Sequence, residues 1–523
     1  MLKAEGKFPS WPIKLVCDRP DIQWKIGEKS GEIELTIDSD AYPGVAWFRM
    51  IDETSSSELI PLLVSNLDSM SESEPNNQRD NANAITPPVT LCGRLEKGGD
   101  LDGFKFAANA SERFIISLTG NRILASPMDA IIQISDMQGN VLLQEDDTRG
   151  LDPVIRFDAP ENGDYLLRVF AFPLTPNSTI GYAGAATFCY SIDIAKAEDF
   201  IENYLPLHLP KETSESMPQG SESPASFRAR PYGWNLPSGI SPVIAGPTSI
   251  SPPTTHASGK VGWQWLPELS IAVTESFETS ATTEPQSPLK PPFSFSGHLL
   301  EEREVDSVLF SASAGLKYRA SVNSKRLGYP IDTALTIIDQ KSGESIASND
   351  DLSRSDYDSS VDFTPKTDGL FEARVIDTVD GFGPHHAYSL LIHEVTPSYS
   401  LSVSKPSYSV NLGESVEIDI TVNRKDGFDQ TLEVSVRAPE GRELPKSFDC
   451  PSVTSEPKGD SAKSLKLKFN AAGEDQYQGP IQIFGRIISQ DDPIEYPITL
   501  ATFSLRPGVN LRQLWLNACS KPK

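Results

Sequence analysis

The strongest constraint on this chain is that it repeats itself. PPVTLCGRL, from Pro87 to Leu95, returns as PPFSFSGHL, from Pro291 to Leu299, at a shift of 204 residues. The same shift carries Asp102 and Phe106 in DGFKF onto Asp306 and Phe310 in DSVLF, and a shift of 203 carries DAIIQISD at Asp129 onto DTALTIID at Asp332. EDD and NDD, ending at Asp147 and Asp351, then FDAPENGDY and FTPKTDGLF, then YSIDI at Tyr190 and YSLLI at Tyr388, complete the series in the same order. Such long-period self-similarity means that one unit is built twice, so both regions must adopt the same fold.

Each copy reads as a run of short strands. In the first they are TLCGRLE, GFKFAA, RFIISLTG, AIIQISD, VLLQED, VIRFDAP, YLLRVFAF and FCYSIDI. Several alternate apolar with polar residues, as half-buried antiparallel strands do, and Gly, Asp, Asn or Pro bound most of them. The expected fold class is all-β, a multi-domain chain of antiparallel β-sandwiches of jelly-roll type. With 523 residues there is room for several cores. The expected division is an incomplete immunoglobulin-like unit over 1–66, the first copy over 67–195, and a linker with a degenerate β unit over 196–290. The second copy follows over 291–395, an immunoglobulin- or fibronectin-like sandwich over 396–507, and a tail over 508–523. SESMPQGSESPASF within the linker offers little to bury and reads as a flexible tether. The tail reads as one short helix around Leu511 to Ala518.

Composition narrows the function classes. A net charge of −26 disfavours nucleic acid as a partner. No apolar stretch has the length of a membrane span or of a signal-peptide core, so the chain reads either as cytoplasmic or as part of a longer exported protein. The five cysteines form no CxxC pair; Cys92 and Cys189 fall in what read as terminal strands of one sandwich, which leaves a disulfide between them open. His385-His386 in GFGPHHAY has no metal spacing and reads as a surface turn. Phosphate loops, GxSxG elbows and dinucleotide fingerprints are missing, and no enzymatic activity is expected. Asp146 with Asp147, and Asp350 with Asp351, read as Asx turns rather than as acid/base pairs, and Asp129 and Asp332 as loop anchors. Phe170, Phe172 and Tyr182 read as core or as a brace for a long loop.

The entry to the first copy, SESEPNNQRDNA from Ser71 to Ala82, gathers oxygen-bearing side chains on one stiff segment. Glu72 and Glu74 share a side of an extended chain, Pro75 removes a donor, and Asn76 and Asn77 follow at once. Two readings remain open: a solvated linker whose side chains cap turns, and part of a site for Ca²⁺, which takes about six to eight oxygen ligands. The second copy is entered by TTEPQSP, which keeps only Glu284 and Pro285, and no equivalent site is expected there.

The order EPNN, G-x-L, D-x-D-x-F, an aspartate before alternating apolar residues, D-x-x-G, DD and P-x-x-G-x-Y resembles the bacterial pre-peptidase C-terminal (PPC) domain. Here these are Glu74 to Asn77, Gly93 to Leu95, Asp100 to Phe104, Asp129 to Ile134, Asp136 to Gly139, Asp146 with Asp147, and Pro160 to Tyr165. RVFAFPLTP with IGYAGA resembles the variant found in large planctomycete surface proteins. The resemblance implies accessory, non-catalytic modules of exported proteins that meet a protein or polysaccharide at the cell surface. It equally fits an accessory segment of a secreted subtilase-like or metalloprotease precursor. Through the related collagenase collagen-binding domains it implies a calcium site at Glu72, Glu74, Asn76, Asn77 and Asp102.

Overall fold

The computed structural model describes residues 2–4, 6, 8, 10–174, 181–209, 229–267, 269, 273–277, 287–488 and 498–520. The tether SESMPQGSESPASF, and Glu284 with Pro285, lie outside the described residues. The fold is all-β, built from largely antiparallel sheets, with parallel pairing confined to a few edge strands.

The first sandwich, over 69–196, has two five-stranded sheets. One runs Val154–Asp158, Arg113–Thr119, Cys189–Lys196, Val89–Arg94, Ser69–Ser71; the other runs Val141–Glu145, Met128–Asp136, Gly163–Pro173, Asp102–Ala108, Asn83–Ala84. Alternation places Phe104, Phe106, Ile132, Ile134, Leu167 and Ile192 between the sheets. Phe170 and Phe172 have the opposite parity from Leu167 and Val169. They therefore sit outside the core and brace the loop at Tyr182, with ring centroids 4.7 and 6.2 Å from it.

The second sandwich repeats this strand order. One sheet runs Ser360–Phe363, Tyr318–Asn323, Ala387–Glu394, Phe293–His298, Thr274–Phe277; the other runs Ser345–Asn349, Thr333–Asp339, Gly369–Asp377, Asp306–Ala312. Even the parallel entry strand recurs, Ser71 facing Cys92 and Phe277 facing Ser296. A buried aspartate is also duplicated. Asp152 accepts the backbone N–H groups of Gly120, Asn121 and Arg122 at 3.2, 2.7 and 3.1 Å, and Asp358 those of Ser324, Lys325 and Arg326 at 2.8, 2.8 and 3.1 Å. Each carboxylate satisfies three donors at the start of one helical turn.

Two smaller three-stranded sheets form the first unit around Leu15, Ile22, Ile33 and Phe48. The last sandwich packs Ser398–Val403, Ser415–Lys425 and Ser464–Asn470 on a longer sheet containing Tyr477–Ile487. The helix expected around Leu511 to Ala518 is instead a strand, Leu514–Cys519, between Ser407–Asn411 and Tyr477–Ile487. LWLNAC alternates with period two, so Leu514, Leu516 and Ala518 are all buried on one face, which a helix would have scattered.

Residues 197–266 carry strands Ile201–Leu205 and Arg230–Gly233 and a three-stranded sheet, Pro242–Ala245, Thr254–Ala257 and Gln264–Trp265. Their apolar side chains pack into neighbouring units: Phe200 against Ile115, Leu205 and Leu207 against Ala387, Trp263 and Trp265 near Trp47. Polar bonds follow the same path, from Arg149 to Glu202 and from Asn203 to His298 at 2.6 Å.

His385 and His386 lie at this junction, not on a surface turn. His386 is 8 % exposed, its ring centroid is 4.3 Å from that of His385, and His385 lies 6.2 Å from Trp234. Burial, then neighbouring positive charge, lowers His385 to about 4 and His386 to about 3. The unfolded chain therefore binds these protons from about pH 6.5 downward while the folded chain refuses them, so stability falls as pH falls through that window. Thermal melts should show a midpoint that drops between pH 6.5 and 4, and His386→Gln should make that drop smaller.

Candidate metal centre

The entry strand Ser69–Ser71 pairs in parallel with Val89–Arg94, and Glu72 continues it by donating its N–H to the Cys92 carbonyl at 2.9 Å. This fixes the segment against the sandwich rather than leaving it as a free linker. Glu72, Glu74 and Asp102 then converge, each with a carboxylate oxygen within 4.8 Å of the others. Among the described residues it is the one such group of three or more acidic, histidine or cysteine side chains.

The surroundings hold the cluster in place. Glu72 accepts the Arg94 N–H at 2.6 Å, and Glu74 accepts that of Asn76 at 3.1 Å. Tyr190 donates its hydroxyl to Asp102 at 2.5 Å and lies 3.2 Å from Glu72. Asp102 is fully buried, and its second oxygen has no partner. Asn76 is fully buried as well, with neither its amide oxygen nor its nitrogen bonded. Buried polar atoms without partners are costly and rare, so the Asn76 amide and the free side of Asp102 are oxygen donors a cation could use.

Charge gives the same message. Burial among like charges disfavours an ionised carboxylate unless a cation compensates it. Without one, burial and then the adjoining Glu72 carboxyl hold Asp102 well above the usual carboxylate range, and burial raises Glu74. The donor set, three carboxylates and a buried amide, consists of hard oxygens, which fit Ca²⁺ rather than a soft transition metal.

Of the five residues expected at this site, Glu72, Glu74 and Asp102 meet, and Asn76 stands beside them unpartnered. Asn77 turns away and donates to Asp100 at 3.0 Å. Asp100 is only 2 % exposed and also accepts the Glu96 N–H at 2.6 Å, which orients the loop leading into Asp102. Sequence reasoning missed Asp100 and Tyr190, although both lie in quoted motifs, D-x-D-x-F and YSIDI.

The other candidates stay apart from this centre. Asp146 and Asp350 each accept the next residue's N–H, at 2.8 and 3.0 Å, one residue short of the bond that defines the Asx turn expected there. Asp129 is half-buried, and burial, then Asp147 and Asp146, raises its pKa. Cys92 faces Ser191 while Cys189 faces Arg94, so the two are diagonal neighbours on adjacent strands. That spacing, about 7–8 Å, exceeds the reach of a disulfide, and none forms.

The second copy keeps the frame of the site. Tyr388 donates to Asp306 at 2.7 Å as Tyr190 does to Asp102. Gly297 and Gly93 make room for these tyrosines: a Cβ on either would fall 2.7 or 2.2 Å from the phenol oxygen. Glu278, the residue that follows the entry strand as Glu72 does, lies outside the described residues.

Residues 100–171 match the family model of the bacterial pre-peptidase C-terminal domain. Among solved structures, the pre-peptidase C-terminal domain of collagenase from Bacillus anthracis is 20% identical, with 23% of this chain and 99% of that chain covered and a TM-score of 0.18. Fibronectin(III)-like modules of CbhA from Clostridium thermocellum are 14% identical over 42% of this chain and 91% of theirs, TM-score 0.13. The ectodomain of the teleost fish polymeric Ig receptor is 13% identical over 43% and 96%, TM-score 0.17. The curated proteins include no match.

Gly297→Ala tests the duplicated frame apart from any metal. It should destabilise the chain by about 1–3 kcal/mol through overpacking against Tyr388, read by denaturant unfolding. Gly163→Ala, at a site without a left-handed backbone where a Cβ meets nothing within 4 Å, controls for glycine replacement away from packed side chains.

Proposed function

We propose that this chain is a non-catalytic, extracytoplasmic binding and spacing protein that carries a calcium ion at the entry to its first PPC-type sandwich. The observation that carries the reading is the meeting of Glu72, Glu74 and Asp102 beside an unpartnered Asn76. The second sandwich is read as a further PPC-type copy, supported by its matching strand order and its Asp306–Tyr388 bond. The first and last units are read as immunoglobulin-like spacers.

Glu72, Glu74 and Asp102 would hold the ion, with Asn76 adding its amide oxygen. Bound calcium supplies charge compensation for the carboxylates and a cross-link between entry segment and sandwich. Residues 72–76 come from the connection out of the first unit, whereas Asp102 begins a strand of the sandwich core. Fixing one to the other stiffens the joint between the two units, and a stiff joint exposes less backbone to proteases.

The same reading places chemistry outside this chain. Asp146 and Asp147 lie exposed on a turn, His385 is packed at the junction, and among the described residues no hydrogen bond or ion pair joins them. A nucleophile, a base and a charge-stabilising group in mutual reach, which bond-breaking needs, are not assembled from them.

Calcium titration tests the proposal. Saturating Ca²⁺ should raise the melting midpoint and slow cleavage near residue 72 by an added protease, with both effects lost in Glu74→Ala. At a concentration about 100 times Kd the stabilisation should approach ~2.7 kcal/mol. A melt unchanged by Ca²⁺ in the unaltered protein removes the metal from the account.

A further inference from the structure

A cleft of about 1150 Å³ opens in another part of the molecule, between the first unit and the hairpin formed by Pro242–Ala245 and Thr254–Ala257. Its inner wall is a fixed layer of planar groups. Arg19, 1 % exposed, forms a bidentate pair with Asp21, with Nε to Oδ1 at 3.0 Å, and donates to the Tyr42 carbonyl at 2.7 Å. Its guanidinium lies 3.7 Å from the centroid of the Tyr42 ring, which also stacks on His256 at 6.0 Å and 14°. At the mouth stand Trp24, 37 % exposed, and the exposed carboxylates of Asp38 and Asp40.

We infer that this cleft binds a neutral oligosaccharide, with Trp24 as the surface on which a sugar ring stacks and with His256, Asp38 and Asp40 as hydrogen-bond partners of its hydroxyls, while the Arg19–Asp21 pair holds the wall behind them rigid. A sugar presents an apolar C–H face and a rim of hydroxyls that both donate and accept. An aromatic ring beside rigid planar donors and acceptors matches that pattern. Because Arg19 and Tyr42 are already locked by their own bonds, little side-chain freedom is lost on binding.

Charge and bonding decide against other ligands. Anions meet Asp38 and Asp40 at the mouth of a chain whose net charge is −26. A cationic side chain would need a carboxylate at the inner end, but the inner ones are engaged. Asp21 is paired with Arg19, and Asp18 accepts from Thr248 Oγ1 at 2.6 Å and the Trp47 N–H at 2.7 Å. Exposed rim carboxylates alone contribute little to holding a cation. His256, lowered by burial to about 4, is neutral at pH 7 and so has both a donor and an acceptor nitrogen.

The inference rests on the reading of the chain as a binding protein and is independent of the calcium site. It is tested by native electrophoresis of the full chain through gels that each hold one neutral polysaccharide: hydroxyethylcellulose, xylan, galactomannan, mannan or dextran. At least one gel should retard the protein, with affinity about tenfold weaker in Trp24→Ala and partly restored in Trp24→Phe. Far-UV circular dichroism checks that both variants are folded. EDTA should leave the retardation unchanged, which separates this outcome from failure of the metal proposal. No retardation in any gel, or equal retardation of folded Trp24→Ala, overturns it. Binding to poly-L-lysine that is lost on joint Asp38→Asn and Asp40→Asn substitution, without polysaccharide binding, overturns it as well.

Discussion

A buried phenol bonded to an aspartate joins the two sheets in the first and in the second sandwich, the aspartate being fully buried in the first and half-buried in the second. Tyr190 belongs to one sheet and Asp102 to the other, and Tyr388 and Asp306 repeat the arrangement. The bond demands a glycine on the neighbouring strand, because the tyrosine ring occupies the space of a Cβ, and Gly93 and Gly297 supply it. The G-x-L strand, the aspartate after it and the tyrosine of the last strand are thus one mechanical unit spread over about 100 residues of sequence. Losing the hydroxyl would strand a buried carboxyl, an expensive outcome in a packed interior.

The first copy turns this shared joint into a candidate ion site by adding Glu72 and Glu74 from its entry strand. Asp102 therefore serves two purposes: one oxygen holds the sheets together through Tyr190, and the other faces the added carboxylates without a partner. A structural pair that is common to both copies thus stands, in the first, next to further carboxylates from the neighbouring segment. Among the other described carboxylates, Asp136 closes an Asx turn by accepting the Gln138 N–H, and Asp158 is shared by Arg113 and Arg156.

Much of the fold was legible in the sequence because half-buried antiparallel strands impose period two, and because the repeat allowed each copy to check the other. The strand over 514–519 escaped this logic: six residues rich in apolar side chains suit either a helix or a strand, and only the flanking strands 407–411 and 477–487 decide. The segment FIENYLPLHL, 200–209, was missed for a similar reason. It is buried throughout, yet its partners Ile115, His298 and Ala387 come from units on either side, and no local pattern reports such distant contacts. At the candidate ion site, Glu72, Glu74 and Asp102 could be named from a family resemblance, whereas the turning of Asn77 toward Asp100 depends on loop geometry that spacing alone does not carry.

A crystal structure of the full chain grown with calcium is the most direct test of the central claim. The account predicts a single strong density peak at the first entry, about 2.3–2.6 Å from oxygens of Glu72, Glu74, Asp102 and Asn76, with the Tyr190 hydroxyl still on Asp102. Carboxylates splayed apart around water, with no ion among them, would contradict it.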